Sequence, residues 1–139
     1  MKTRRFMRKS ENPSKLHQQL RGILTKLFPN HVIYEEYSYK RIMPKNVPEQ
    51  TLCSRLKADF YIKGICVVEC QGEQHAKPVS FGKGGYKTKE QIFSEQCVRD
   101  ELKRRVCRKY RMPFVEIWFD EEVDNNAVYN KIISAQKTE

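Results

Sequence analysis

The strongest constraint on how this chain can fold lies between residues 55 and 71, where two differently patterned apolar segments meet at Lys63-Gly64. Arg55 to Ile62 alternates, with Leu56, Ala58, Phe60 and Ile62 on one face and Lys57, Asp59 and Tyr61 on the other, as a half-buried strand requires. Ile65 to Cys70 is apolar on both faces until Glu69, the pattern of a central strand. The intervening Lys63-Gly64 predicts a two-residue hairpin connection. A sheet therefore forms the centre of the fold, with Glu69 near the end of one strand and Asp59 on its hairpin partner.

The remaining elements arrange themselves around that hairpin. Ser14 is a natural N-cap, and Leu16, Leu20, Ile23, Leu24 and Leu27 recur at helical spacing until Pro29 and Asn30. Val32 to Tyr39 reads as a strand and the Pro-bearing stretch Arg41 to Thr51 as a loop. Gly72 to Lys89 holds four glycines and one proline without apolar periodicity, which predicts an exposed loop. A long helix is expected from Glu90 to Tyr110, with Phe93, Cys97, Val98, Leu102 and Val106 as its apolar stripe. A strand from Phe114 to Phe119 and a helix from Asn126 to Ala135 close the order αβββαβα, an α/β class with a mixed sheet flanked by helices. No Gly/Ser-rich or Pro-rich stretch divides the 139 residues, so residues 14–139 are read as one domain following a basic, flexible arm, 1–13.

Charge narrows the partners. Twenty-seven Lys and Arg stand against 17 Asp and Glu, a formal net charge of +10. Met1 to Lys9 has five basic residues and no acid, and Arg99 to Arg111 has seven against two. Such an excess suits a polyanion, although a solvated helix face and a frayed terminus explain it equally well. Five cysteines without a CxxC pair suggest neither a disulfide framework nor a zinc site. No apolar run nears the roughly 18 residues of a membrane span, and no signal-peptide core follows the basic start. The expectation is a soluble intracellular protein with no membrane partner.

The chemistry concentrates in Asp59, Glu69, Gln71, Glu73 and His75. An ionised carboxylate at the end of an apolar central strand is costly without a counter-ion, and a second acid beside it raises that cost. Either a Lys/Arg or a metal answers the need. Two carboxylates and the Cys70 carbonyl offer hard oxygen ligands of the kind Mg²⁺ takes, and such an ion suits phosphodiester hydrolysis. His75, with an ordinary pKa near 6.5 for its type, is a general-base candidate.

Asp59 followed by Glu69-Cys70-Gln71, on consecutive strands between a first helix and a long one, resembles the D...ExK signature of PD-(D/E)xK nucleases over roughly residues 14 to 120. Val68-Glu69-Cys70-Gln71-Gly72-Glu73-Gln74-His75 and the later Arg99-Asp100-Glu101-Leu102-Lys103 more narrowly resemble phage-encoded homing-type endonucleases related to very-short-patch repair endonucleases. The resemblance implies a restriction-endonuclease-like αβββαβ core and a metal-dependent DNA endonuclease using Mg²⁺, with Mn²⁺ as a substitute. If phage-encoded, it would act in the cytoplasm of the bacterial host. Asp59, Glu69 and Cys70 would hold the metal, Gln71 would take the usual Lys place, and Glu36, His75 and Lys103 would complete the catalytic set. Glu35 is an equal candidate to Glu36, because strand register is open by one residue. Gln71 departs from the pattern, since an amide carries no charge and is no base.

Arg4, Arg5, Arg8, Lys77, Lys83, Lys87, Arg104 and Arg108 are the cations expected to meet phosphates of double-stranded DNA, fixing position without reading sequence. A homodimer is one way for a chain this small to engage a site. Two other readings stand beside this one: an inactive nucleic-acid-binding module that keeps the fold, and a nuclease acting on RNA.

Overall fold

In the computed structural model, which describes residues 14–72, 78 and 87–137, the hairpin forms the middle of a four-stranded sheet. Helix α1 (Lys15–Leu27) precedes strand β1 (Ile33–Ser38), followed by a 3-10 turn at Tyr39–Arg41 and the short helix α2 (Glu49–Leu52). Strands β2 (Lys57–Ile62) and β3 (Cys66–Gln71), helix α3 (Lys89–Lys109), strand β4 (Phe114–Trp118) and helix α4 (Asn125–Lys137) complete the order. The sheet order is β1-β2-β3-β4, with the first two pairings antiparallel and the last parallel. A parallel neighbour needs a crossover, and α3 lies on the connection that makes it.

The apolar alternation of β2 appears directly as burial: Ala58, Phe60 and Ile62 are buried, while Asp59 and Tyr61 are half-buried. Strand β3 is covered on both faces, as a central strand must be. One core, between the sheet and α1 with α4, joins Leu20, Leu24, Ile33, Phe60, Val68 and Ile132. The other, toward α3, joins Tyr39, Met43, Leu56, Val67, Val106 and Cys107. Ser14 caps α1 by accepting the His17 N–H at 3.1 Å. At the β4 edge, Lys131 Nζ donates to the Glu116 carbonyl at 2.9 Å, covering a backbone acceptor on an edge strand.

Three expectations are corrected. The hairpin link includes Ile65: pairing begins at Ile62↔Cys66, and the Ile65 N–H closes on the Ile62 carbonyl at 2.8 Å. Gly64, at φ +81°, occupies the turn position that requires the left-handed region. Arg41 to Thr51 is not all loop, because the 3-10 turn and α2 occupy its ends. The stripe expected on α3 is also displaced. Cys97 and Val98 are exposed, and the buried residues are Asp100, Val106 and Cys107. The reason is what α3 faces: Lys103 and Arg104 meet Glu69 and Glu116 of the sheet, so its inward side is largely polar around Asp100 to Arg104 and apolar at Val106 and Cys107, while none of residues 89–99 is buried.

Candidate functional site

The two hairpin acids meet where the β2–β3 ladder ends. Phe60↔Val68 is the last pair, and beyond it the side chains take over the hydrogen bonding. Asp59 Oδ2 accepts the Cys70 N–H at 2.7 Å, and the Asp59 N–H lies 3.4 Å from Glu69 Oε1. Each carboxylate thus substitutes for a backbone acceptor, and the two acids are held face to face. Glu69 is only 2 % exposed.

Two groups from elsewhere in the chain meet Glu69. Tyr39, buried at the start of the 3-10 turn that follows β1, donates its hydroxyl to Oε2 at 2.5 Å, and Lys103 Nζ lies 3.4 Å from Oε1. The same ammonium sits over the Tyr39 ring, 5.6 Å from its centroid. These partners do not offset the burial. Desolvation first, and Asp59 second, push the Glu69 carboxyl up to about 8, against the opposing pull of Lys103 and the Tyr39 hydroxyl. The Tyr39 hydroxyl is raised by burial and by Glu69.

A second network extends the site toward β4. Parallel register sets Glu116 beside Glu69, and the buried Gln71 donates Nε2 to Glu116 Oε1 at 2.8 Å. Arg104 grips both Glu116 oxygens, with Nε at 3.0 Å from each and Nη2 at 2.6 Å from Oε1. This ion pair raises the guanidinium above its ordinary value. Arg104, expected to meet phosphate, is therefore turned inward to hold Glu116. On the same helix, the Gln96 amide donates to the buried Asp100 at 2.9 Å.

Glu35, not Glu36, is the acid that folding buries. Its carboxylate accepts from Arg21 Nε and Nη2, both at 2.9 Å, and lies 2.6 Å from His17 Nε2 on the α1 side of the sheet. The His17 ring packs on Phe60 with centroids 4.4 Å apart. Glu36 is half-buried at the register position across from Asp59, with φ +49°, and has no hydrogen bond or ion pair to the other candidates among the described residues. Nothing in the sequence analysis marked His17, Arg21, Tyr39 or Glu116 as a partner of these acids. Only Glu116 carried a local signal, as an acid between Val115 and Ile117 in a strand otherwise apolar.

The remaining cations divide three ways. Lys87 pairs with Glu95 at 2.8 Å on the surface, and Arg108 is exposed near the end of α3. Arg4, Arg5, Arg8, His75, Lys77 and Lys83, and the whole arm 1–13, lie outside the described residues.

No group of three or more His, Cys, Asp or Glu side chains able to hold a metal occurs among the described residues. The available donors are the Asp59 and Glu69 carboxylates and the Cys70 carbonyl. That set fits Mg²⁺, which takes one or two protein carboxylates and keeps much of its water. It does not fit a thiolate metal, because burial, with Asp59 and Glu69 adding to it, pushes the Cys70 thiol far up. Neither a family model, nor a curated protein, nor a solved structure matches this chain. No helix among the described residues is long and apolar enough to cross a membrane.

Proposed function

We propose that the chain is a Mg²⁺-dependent DNA endonuclease with a restriction-endonuclease-like core of the PD-(D/E)xK type, similar to the phage homing-type enzymes. One observation carries the reading: Asp59 and Glu69 lie side by side at the parted end of the hairpin, with Glu69 so poorly compensated that its carboxyl rises to about 8. A buried acid beside a half-buried one, as Glu69 is beside Asp59, is stable in ionised form only with a further cation.

Asp59, Glu69 and the Cys70 carbonyl would hold Mg²⁺. The chemistry such an ion would supply there is polarisation of a scissile phosphate and a lowered pKa for a bound water. The chain's own residues do the rest. Tyr39 fixes Glu69 by its Oε2, leaving the other oxygen toward Asp59 and Lys103. Lys103 has three N–H donors, of which Glu69 takes one, so its ammonium is suited to a phosphate oxygen as well. Gln71 gives its amide N–H to Glu116, which leaves the amide oxygen as an acceptor able to orient water. Arg104 neutralises Glu116 and keeps that acid from adding to the charge around Glu69. His75 remains the general-base candidate of the resemblance.

The inactive binding module has one observation in its favour: Glu69 and Gln71 both have internal hydrogen-bond partners. The discriminating experiment incubates the protein with supercoiled plasmid, single-stranded DNA and RNA in Mg²⁺, Mn²⁺ or EDTA, beside Asp59→Asn and Glu69→Gln. Metal-dependent cutting of DNA that falls at least about a hundredfold in both variants supports the nuclease, since electrostatic groups at the reacting centre are worth that much. Absence of cleavage on every substrate, with salt-sensitive DNA binding retained, leaves the binding module; cleavage of RNA alone moves the activity to RNA.

A further inference from the structure

Strict alternation would put Tyr34 and Tyr37 on opposite faces of β1, yet their rings stack with centroids 4.2 Å apart and planes 28° from parallel. Between them Glu36 holds φ +49°, a costly conformation for a residue other than glycine, and breaks the alternation. Tyr61 of β2 joins the pair at 5.5 Å from Tyr37 and 6.1 Å from Tyr34, with planes within 16° of both. The guanidinium of Arg41 lies over the Tyr37 ring, 5.9 Å from its centroid. Three near-parallel rings and a cation are thus gathered on one patch.

The patch is only partly covered. All three tyrosines are half-buried, and of the three only Tyr61 packs against either core; Tyr34 and Tyr37 belong to neither cluster. Strand β1 is an edge strand, with exposed Arg41 and Lys57 at one end of the β1–β2 pair and exposed Lys63 at the other. Of the two acids between Tyr34 and Tyr37, Glu35 is buried against His17 and Arg21 on the α1 side, and Glu36 is half-buried. Tyr61 also lies two residues from Asp59 on the same strand face, a separation of about 7 Å along a strand.

We infer that Tyr34, Tyr37 and Tyr61 form a stacking surface for unpaired bases of a DNA strand, with Arg41 meeting its backbone. The choice of DNA rests on the nuclease reading above; the stacking surface rests on the rings. Flat π-faces accept any base and cost little side-chain entropy when the rings already support one another, and a guanidinium beside them neutralises phosphate. Charge complementarity favours this occupant over an apolar protein partner: the rings are flanked by cations on a chain of net charge +10. A strand whose phosphate lies at Asp59 and Glu69 would bring the flanking nucleotide to Tyr61.

The test measures binding by fluorescence anisotropy, in EDTA, of oligothymidylate of about ten nucleotides and of an abasic strand of equal length. Wild type is compared with Tyr37→Leu, Tyr34→Leu and Tyr37→Trp, each checked for wild-type circular dichroism and melting. Each leucine variant is expected to weaken oligothymidylate binding about fivefold to a hundredfold, leaving the abasic strand unchanged, while Tyr37→Trp keeps wild-type affinity. Equal affinity in folded leucine variants, or equal loss on both strands, overturns the proposal. So does a wild-type dimer in sedimentation that Tyr37→Leu disperses without altering oligonucleotide affinity. Because EDTA removes cleavage from the measurement, a protein that binds but never cuts sinks the nuclease alone, and one that cuts with unchanged Tyr37→Leu binding sinks this surface alone.

Discussion

Glu69 carries the sharpest prediction at the scale of a single residue. Its carboxyl is near 4.5 when unfolded and about 8 when folded, so between those values the native chain holds a proton that the unfolded chain has lost. Stability from this group therefore falls as pH rises from about 4.5 to about 8 and is level beyond. In EDTA the unfolding free energy is expected to drop over that window by on the order of a few kcal/mol, with the melting temperature falling alongside, and Glu69→Gln should flatten both. A variant with the wild-type slope would show that Glu69 is ionised in the fold. Asp59 and Glu69 were legible from local patterning, since an acid ending an apolar run is conspicuous by itself. Tyr39 was not, because it reaches Glu69 across 30 residues of chain. Which of Glu35 and Glu36 folding would bury was likewise not legible locally: a histidine and an arginine one turn apart on a separate helix draw Glu35 to the α1 side of the sheet.

At the scale of the element, α3 ends in a way its sequence disguises. The Met112 N–H bonds to the Cys107 carbonyl at 2.8 Å and the Arg111 N–H to the Arg108 carbonyl at 3.3 Å, the paired bonds of a Schellman terminus. The residue between helix and strand in such a terminus is usually glycine, and here it is Arg111 at φ +55°. Arg111→Gly should therefore raise stability by about 0.5–1 kcal/mol, because it removes a left-handed penalty at a position where no helical propensity is lost. Denaturant titration checks this, and a lower midpoint would mean that the arginine side chain makes a contact worth more than the strain. The bounds of α3 were readable to within a residue or so from Pro113 and the apolar repeat. Its orientation was not. Periodicity assumes an apolar target, whereas Asp100 and Lys103 turn inward toward a site whose polarity only the assembled sheet reveals.

For the whole molecule, a formal charge of +10 makes any DNA affinity a function of salt. Binding to a duplex in EDTA should weaken at least about tenfold between 50 and 200 mM salt, with a linear double-logarithmic plot. A flat plot would mean that the basic excess is surface solvation and that apolar or hydrogen-bonding contacts dominate. The mixed sheet flanked by helices was legible because each strand had its own signature. The strand order was not, because register and crossover are fixed by packing between distant segments. That topology has a kinetic consequence. The hairpin that joins Asp59 to Glu69 spans ten residues, whereas Lys103 reaches Glu69 from 34 residues away, after the crossover helix docks. Hairpins close in about 1–10 μs and long-range pairings later, so the acids meet before their cation arrives. Early folding thus gathers like charge, and the docking of α3 brings Lys103 as only a partial counter-charge. Refolding from denaturant is expected to quicken when Mg²⁺ replaces an equal ionic strength of Na⁺, and to lose that response in Asp59→Asn, where the hairpin can close without repulsion.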